Sequence, residues 1–347
     1  MNEHQMRDFI TRIPKAENHI HLDTVPPAVL LECASRNRVT LPFSTVEEAE
    51  AWYKFDNLQH FLGKWKATQE ALRTEDDYAL VVEHLGRDMK RQNIIWREAM
   101  FCFHQGQEAR IGLEAELAGI SRGRKLAKER HGVDIVFIAN LDRTQSPEAS
   151  LALVEALIPV AEECGIVGLG LESQEIGFPA GPHARAFDLA REAGLKLSAH
   201  CGEEFAAGPD GVWDVIRSLK PDRIDHGVQA IRDPSLVSYL KETQIPLMVA
   251  PISNVCLNIY SSLREHPIIA LCDLGVKVTL NSDDPPFLKS DLIDNYMALV
   301  QNFGLSPGEI ADLVRAGFST SYAPDATKAD HIALLDKWLE QNPPMLA

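Results

Sequence analysis

Three observations predict an α/β fold and, within that class, a (β/α)8, or TIM, barrel. Short apolar runs alternate with longer amphipathic segments along the 347 residues. Polar residues of catalytic type gather at the C-terminal ends of those runs. No G-x-G-x-x-G follows an early run, which removes the main support for an open, doubly wound sheet. Strands alternating with helices give parallel βαβ units. Eight such strands in a chain of this length favour a closed barrel, whose active site lies where the C-terminal strand ends meet.

The runs that read as strands are 19–22, 94–103, 133–140, 166–173, 196–203, 223–228, 246–254 and 277–284. Helical patterns lie between the later ones, at 183–193, 212–219, 234–243 and 267–274. The strand ends carry His-Ile-His-Leu-Asp, Ser-Gln-Glu, His-Cys-Gly-Glu, Asp-His-Gly, Ser-Asn and Ser-Asp-Asp. Residues 41–73 break the alternation. They hold Phe43, Trp52, Tyr53, Phe55, Phe61 and Trp65 and follow the first strand. They read as a helical insertion over the barrel mouth. For any one of those rings, plain packing within the outer helices is an equal reading. With no repeat, low-complexity segment or linker, 1–347 reads as one domain.

The chain has 34 basic and 50 acidic residues, a net charge of −16. A surface that negative repels phosphate backbones, which argues against nucleic acid as a partner. The six cysteines are scattered without a CxxC pair and read as reduced intracellular thiols. No run approaches the roughly 20 apolar residues of a membrane span, and the first residues mix both charges without a signal-peptide core. The expectation is a soluble cytoplasmic protein acting on a small molecule, with a homo-oligomer left open.

His19 and His21 stand two apart on a strand, so their side chains share a face and can reach one ion. Imidazole is a preferred ligand for zinc and its neighbours. His200 ends the fifth run, and Glu203 follows where the chain leaves it, placed to carry protons beside a metal. His226 ends the sixth run and fits either as a further ligand or as a partner of metal-bound water. Gly227 after it would let backbone or substrate come close. Asp283 and Asp284 close the eighth run. Alternation would send them different ways, one to the ion and one to the substrate. Three or four protein ligands with an open position describe a catalytic metal site, and so a metal-dependent hydrolase. The ligand types alone would also take iron, cobalt or manganese.

The ordered strings PKAENHIHLD, GLESQEIGFP, HCGEE, RIDHGV, APISN and NSDDP resemble the adenosine deaminase family, with its adenine deaminase branch, in the amidohydrolase superfamily. The resemblance runs through nearly the whole chain. It implies one Zn2+ per chain on His19, His21, His200 and Asp283. It implies that Glu203 protonates purine N1, that His226 orients and polarises the zinc hydroxide, and that Asp284 hydrogen-bonds N7. Ser173 occupies the place where the nucleoside branch offers a backbone N–H to N3. Asp23 matches a carboxylate near the sugar 5′-hydroxyl. The implied reaction is hydrolytic deamination of a 6-aminopurine, adenosine or adenine, by hydroxide attack on C6.

Three departures stand out. Asp23 is followed directly by Thr24, where the family has an intervening glycine. Cys201 replaces an alanine, and Ala250 replaces a cysteine. The substrate signals diverge, since Asp23 matches the nucleoside branch while GLESQEIGFP and Asp294-Asn295-Tyr296 match the adenine branch. A larger adenine-bearing nucleoside such as 6-aminodeoxyfutalosine is a further reading. So are an ester or amide hydrolase and a non-catalytic purine-binding protein on the same fold. Zinc deaminases of nucleic-acid bases use H-x-E with P-C-x-x-C, and neither string occurs.

Overall fold

A computed structural model describes residues 1–103 and 111–343. The strands are β1 (Lys15–His21), β2 (Ile94–Cys102), β3 (Asp134–Asp142), β4 (Ile166–Glu172), β5 (Lys196–Cys201), β6 (Arg223–His226), β7 (Leu247–Val249) and β8 (Val278–Leu280). They pair in chain order and every pairing is parallel. A parallel bridge between Ile20 and Asp283 joins the last turn to the first strand. The (β/α)8 TIM barrel expected from the alternation is the fold observed.

Closure of the barrel also builds the site. The His21 N–H donates to the Asp283 carbonyl at 2.9 Å, and the Asp283 N–H donates to the His19 carbonyl at 3.2 Å. A shift of register between Glu17 and Ile20 puts three steps of β1 against two of β2. Such a bulge re-aims side chains without ending the pairing.

The seventh and eighth runs are shortened most relative to the sequence expectation. Only Leu247–Val249 of the seventh is strand, and Pro251–Cys256 forms a short helix. Pro251 sets φ at the first helical position and gives up no useful N–H there. β8 ends at Leu280, before Ser282, Asp283 and Asp284. Alternation along a strand therefore cannot sort the two aspartates. Asp283 has φ +65°, in the left-handed region, and the resulting turn sends both carboxylates into one cavity.

The helix over Pro234–Thr243 has the bounds its pattern gave, with the Asp233 side chain accepting the Ser235 N–H. The 41–73 segment holds two helices, Val46–Trp52 and Leu58–Gln69, begun by side-chain caps from Thr45 and Asn57. Phe43, Trp52 and Tyr53 pack on one another, and Tyr53 stacks on Phe287 with ring centres 4.0 Å apart. Phe61 also packs edge-on against Phe287, and it and Trp65 reach the cavity at the strand ends. Among the described residues no helix is long and apolar enough to cross a membrane.

Candidate active site

The floor of the cavity is a cluster of donors. His19, His21, His200 and Asp283 each offer one atom, and these four atoms lie within 4.8 Å of one another. His21 Nε2 is 3.2 Å from His200 Nε2, His19 Nε2 is 3.0 Å from Asp283 Oδ1, and His21 Nε2 is 3.4 Å from the same oxygen. Four ligands placed tetrahedrally about 2.1 Å from one ion stand about 3.4 Å apart. Both ring nitrogens of His19 are buried with no aligned hydrogen bond, although each faces a carboxylate. Such atoms are costly unless something else satisfies them. The donor set and its spacing fit a metal ion.

Groups behind the cluster aim it. His19 Nδ1 faces Asp225 Oδ1 at 3.6 Å, and His200 Nδ1 lies 3.2 Å from the Leu171 carbonyl. His21 Nδ1 is 3.5 Å from Glu172 Oε2. Ser198 donates to Asp225, Asn140 donates to Glu172, and Arg143 donates to the His200 carbonyl. Carboxylates and carbonyls on the far nitrogens fix ring orientation and tautomer. Asp225 and Glu172 have no role in the sequence reading. The usable signal for Asp225 was its spacing from Arg223, which puts both on one face of β6.

Glu203, His226 and Asp283 form a second convergence. His226 Nε2 is 3.7 Å from Glu203 Oε1 and 4.0 Å from Asp283 Oδ2. Burial drives the Glu203 carboxyl well above its ordinary range, with Asp283, Glu175 and Glu204 adding to the effect. Asp284 is raised in the same way, by burial and then by Asp283. Burial lowers His226 to about 3, against the pull of Asp283. Burial thus favours the uncharged form of all three groups that face the cavity. Glu175 holds the Glu203 turn, accepting N–H bonds from Gly202, Glu203 and Glu204 at 2.7, 3.0 and 3.2 Å.

Ser173, His226 and Asp283 all have positive φ, at +77°, +63° and +65°. Non-glycine residues in this region are uncommon and cluster at functional sites. Gly227 plays a different part from the one expected of it. A Cβ there would come within 2.6 Å of Leu247 Cδ2, so its bareness serves packing on β7 rather than approach of a substrate.

His21, Asp23, Ser173, His200, Glu203, His226, Asp283 and Asp284 line one cavity of about 50 Å³. His19 sits beneath it, fully buried. Leu58, Phe61, Leu62 and Trp65 wall the opposite side. The shortened loop after Asp23 is tied to this wall. Gln69 donates to the Asp23 carbonyl at 2.6 Å, the Cys102 N–H donates to the Asp23 carboxylate at 3.2 Å, and Thr24 Oγ1 donates to the His21 carbonyl at 3.0 Å. Cys201 is fully buried and its thiol is raised, first by burial, so it packs as a small apolar side chain.

The family model described as adenosine deaminase matches residues 14–338. The chain belongs to the adenosine deaminase family. Membership makes it a hydrolase acting on C–N bonds. It is 35% identical over 339 residues to an adenine deaminase of Hahella chejuensis, covering 97% of this chain and all of that one. It resembles the crystal structure of an adenine deaminase from Arthrobacter aurescens, with TM-score 0.89, 31% identity, and 94% and 99% of the two chains covered. An amidohydrolase from Burkhoderia ambifaria, solved with bound Zn, shares the fold at TM-score 0.87 and 23% identity over 98% and 94% of the chains.

Proposed function

We propose that this deaminase acts on a 6-aminopurine, with adenine as the preferred substrate, and releases ammonia and the 6-oxopurine. One observation carries the reading: the four-donor cluster forms the floor of a small cavity ringed by two carboxyls that burial raises and a histidine that burial lowers. The adenine deaminases similar to this chain in sequence and structure support it.

The ion would be held by His19, His21, His200 and Asp283, one per chain, and zinc is the ion favoured by this donor set. Such an ion supplies water acidified to a pKa near 7 and so a nucleophile at neutral pH. The remaining work belongs to the side chains. Protonated Glu203 gives its proton to ring nitrogen N1, which makes C6 electrophilic. Protonated Asp284 donates a hydrogen bond to N7, an acceptor, and a carboxylate there would repel it. Asp23 and Ser173 line the rest of the purine's enclosure. The oxygen of water bonds to C6 and the C6–N bond breaks. Of water's two protons, one restores Glu203 and the other leaves with the amine as ammonia.

The cavity volume supports the choice of base over nucleoside. The cavity, about 50 Å³, has room for roughly three to five waters, or about 100–150 Å³ of liquid. A planar base suits that volume and a ribose adds too much. A second reading rests on the 220 Å³ vestibule beyond Leu62, Trp65 and Ser173, where a larger adenine-bearing nucleoside could place its sugar. A panel of adenine, adenosine and larger adenine nucleosides, followed by loss of the aminopurine absorbance and release of ammonia, separates the two. Glu203→Gln should keep its metal and lose turnover by about 10²- to 10⁴-fold. Near-normal turnover in that variant, or no deamination of any aminopurine by the zinc-loaded protein, would overturn the reading.

A further inference from the structure

Behind His226 lies a chain of buried hydrogen bonds whose direction can be read from its far end. The backbone N–H of Ile268 donates to His266 Nδ1 at 3.2 Å. A backbone N–H can only donate, so His266 Nδ1 accepts and carries no proton. The proton of His266 therefore sits on Nε2, which is 3.0 Å from Asn254 Oδ1. Only an oxygen can accept there, since the flipped amide would set its NH2 against the ring N–H. The NH2 of Asn254 accordingly points the other way, 3.4 Å from His226 Nδ1. That nitrogen accepts, and the single proton of the neutral ring is left on Nε2. Exposures of 0% for Asn254, 1% for His226 and 3% for His266 leave little room for water as a competing partner.

We propose that Asn254 and His266 are positioning residues that lock His226 as an Nε2–H donor. On the deaminase reading of the site, His226 then meets the attacking oxygen by donating a hydrogen bond and does not take its proton. An imidazole protonated on Nε2 has no lone pair on that side. The water proton passes instead to Glu203, whose Oε1 lies 3.7 Å from His226 Nε2. The positive φ of His226, +63°, is part of the same device, because it turns the ring between Asn254 and the cavity. A lone strand-end histidine would be free to adopt either tautomer. The relay removes that choice before substrate arrives, which is preorganisation of a donor toward developing negative charge.

The test reads the tautomer directly. Long-range 1H–15N NMR of zinc-loaded protein labelled with 15N-histidine is expected to find His226 and His266 each protonated on Nε2. Asn254→Asp puts an acceptor against His226 Nδ1 and should move the ring proton there. In that variant kcat should fall about 10²- to 10³-fold, as for loss of one oriented donor, with KM and zinc content nearly unchanged. His266→Gln, whose amide can still donate to Asn254 Oδ1, should retain the wild-type His226 signature and most of kcat. A wild-type His226 protonated on Nδ1 would overturn the proposal, and this holds even if Asn254→Asp does not fold. So would an Asn254→Asp protein with wild-type kcat and an unmoved proton. Deamination by a protein carrying the wrong tautomer refutes the relay alone. An intact Nε2–H signature without deamination refutes the deaminase reading alone.

Discussion

Replacing Glu175 should separate the stability of the barrel from the placement of Glu203. Its buried carboxylate is the acceptor for three consecutive backbone donors, those of Gly202, Glu203 and Glu204. Each buried donor left unpaired costs about 1–3 kcal/mol. Glu175→Ala therefore has a ceiling of about 3–9 kcal/mol, against the roughly 5–15 kcal/mol that holds a domain together. A loss that large drives the turn open until water reaches the donors, so the alanine variant mixes destabilisation with rearrangement. Glu175→Gln is the sharper probe. One oxygen, Oε1, accepts from both Glu203 and Glu204, and glutamine can keep it. The other oxygen becomes an NH2 facing the Gly202 N–H, so one bond is lost and two donors meet. The expected cost is about 1–3 kcal/mol. Glu203 follows the turn, and a displacement of about 1 Å can cost about 10²-fold in rate. Urea denaturation at neutral pH, steady-state kcat on adenine and elemental analysis of the metal together read the effect. The expected result is reduced stability, kcat down about 10- to 100-fold and full metal. Wild-type stability together with wild-type kcat would refute the argument.

Other variants probe the surroundings. Gly202→Ala should lose at least about 1–2 kcal/mol of backbone energy, because Gly202 has φ +57° and an added Cβ would lie 2.3 Å from Val212 Cγ2; an unchanged urea midpoint would contradict this. Phe61→Ala should cost about 3–5 kcal/mol, since the ring is buried edge-on against Phe287 at 5.3 Å, and it should raise activity on adenosine relative to adenine. A fixed substrate ratio would show that this wall does not set the size limit. Burial raises the Asp77 carboxyl, but the N–H of Arg73 and the side chains of Arg36, Asn37 and Thr74 outweigh it and hold its pKa below the usual range. Its contribution is thus present above the unfolded carboxylate pKa and is lost as pH falls through the folded one. The gap in urea midpoint between wild type and Asp77→Asn should be widest at neutral pH and close in acid; a gap independent of pH would sink the assignment.

The order of the residues specifies the barrel, because eight apolar runs with amphipathic segments between them leave parallel βαβ units as the way to bury both faces of each strand. It also determines which residues meet at the site. Polar groups at the C-terminal ends of parallel strands must share one face of a barrel, so His19, His21, His200, Glu203, His226, Asp283 and Asp284 could be named from their places in the runs. Their geometry comes from contacts between distant elements. β8 stops three residues short of Asp283, and it is the bond pair between Asp283 and β1, together with a left-handed φ, that brings that carboxylate to the histidines. The supports were equally illegible, because they come from distant elements. Asp225 stands behind His19, Glu175 beneath Glu203, and His266 two links behind His226. Periodicity records which way a side chain points along its own strand. It carries nothing about which group from another strand will be waiting there, and that pairing sets tautomer, pKa and ring orientation.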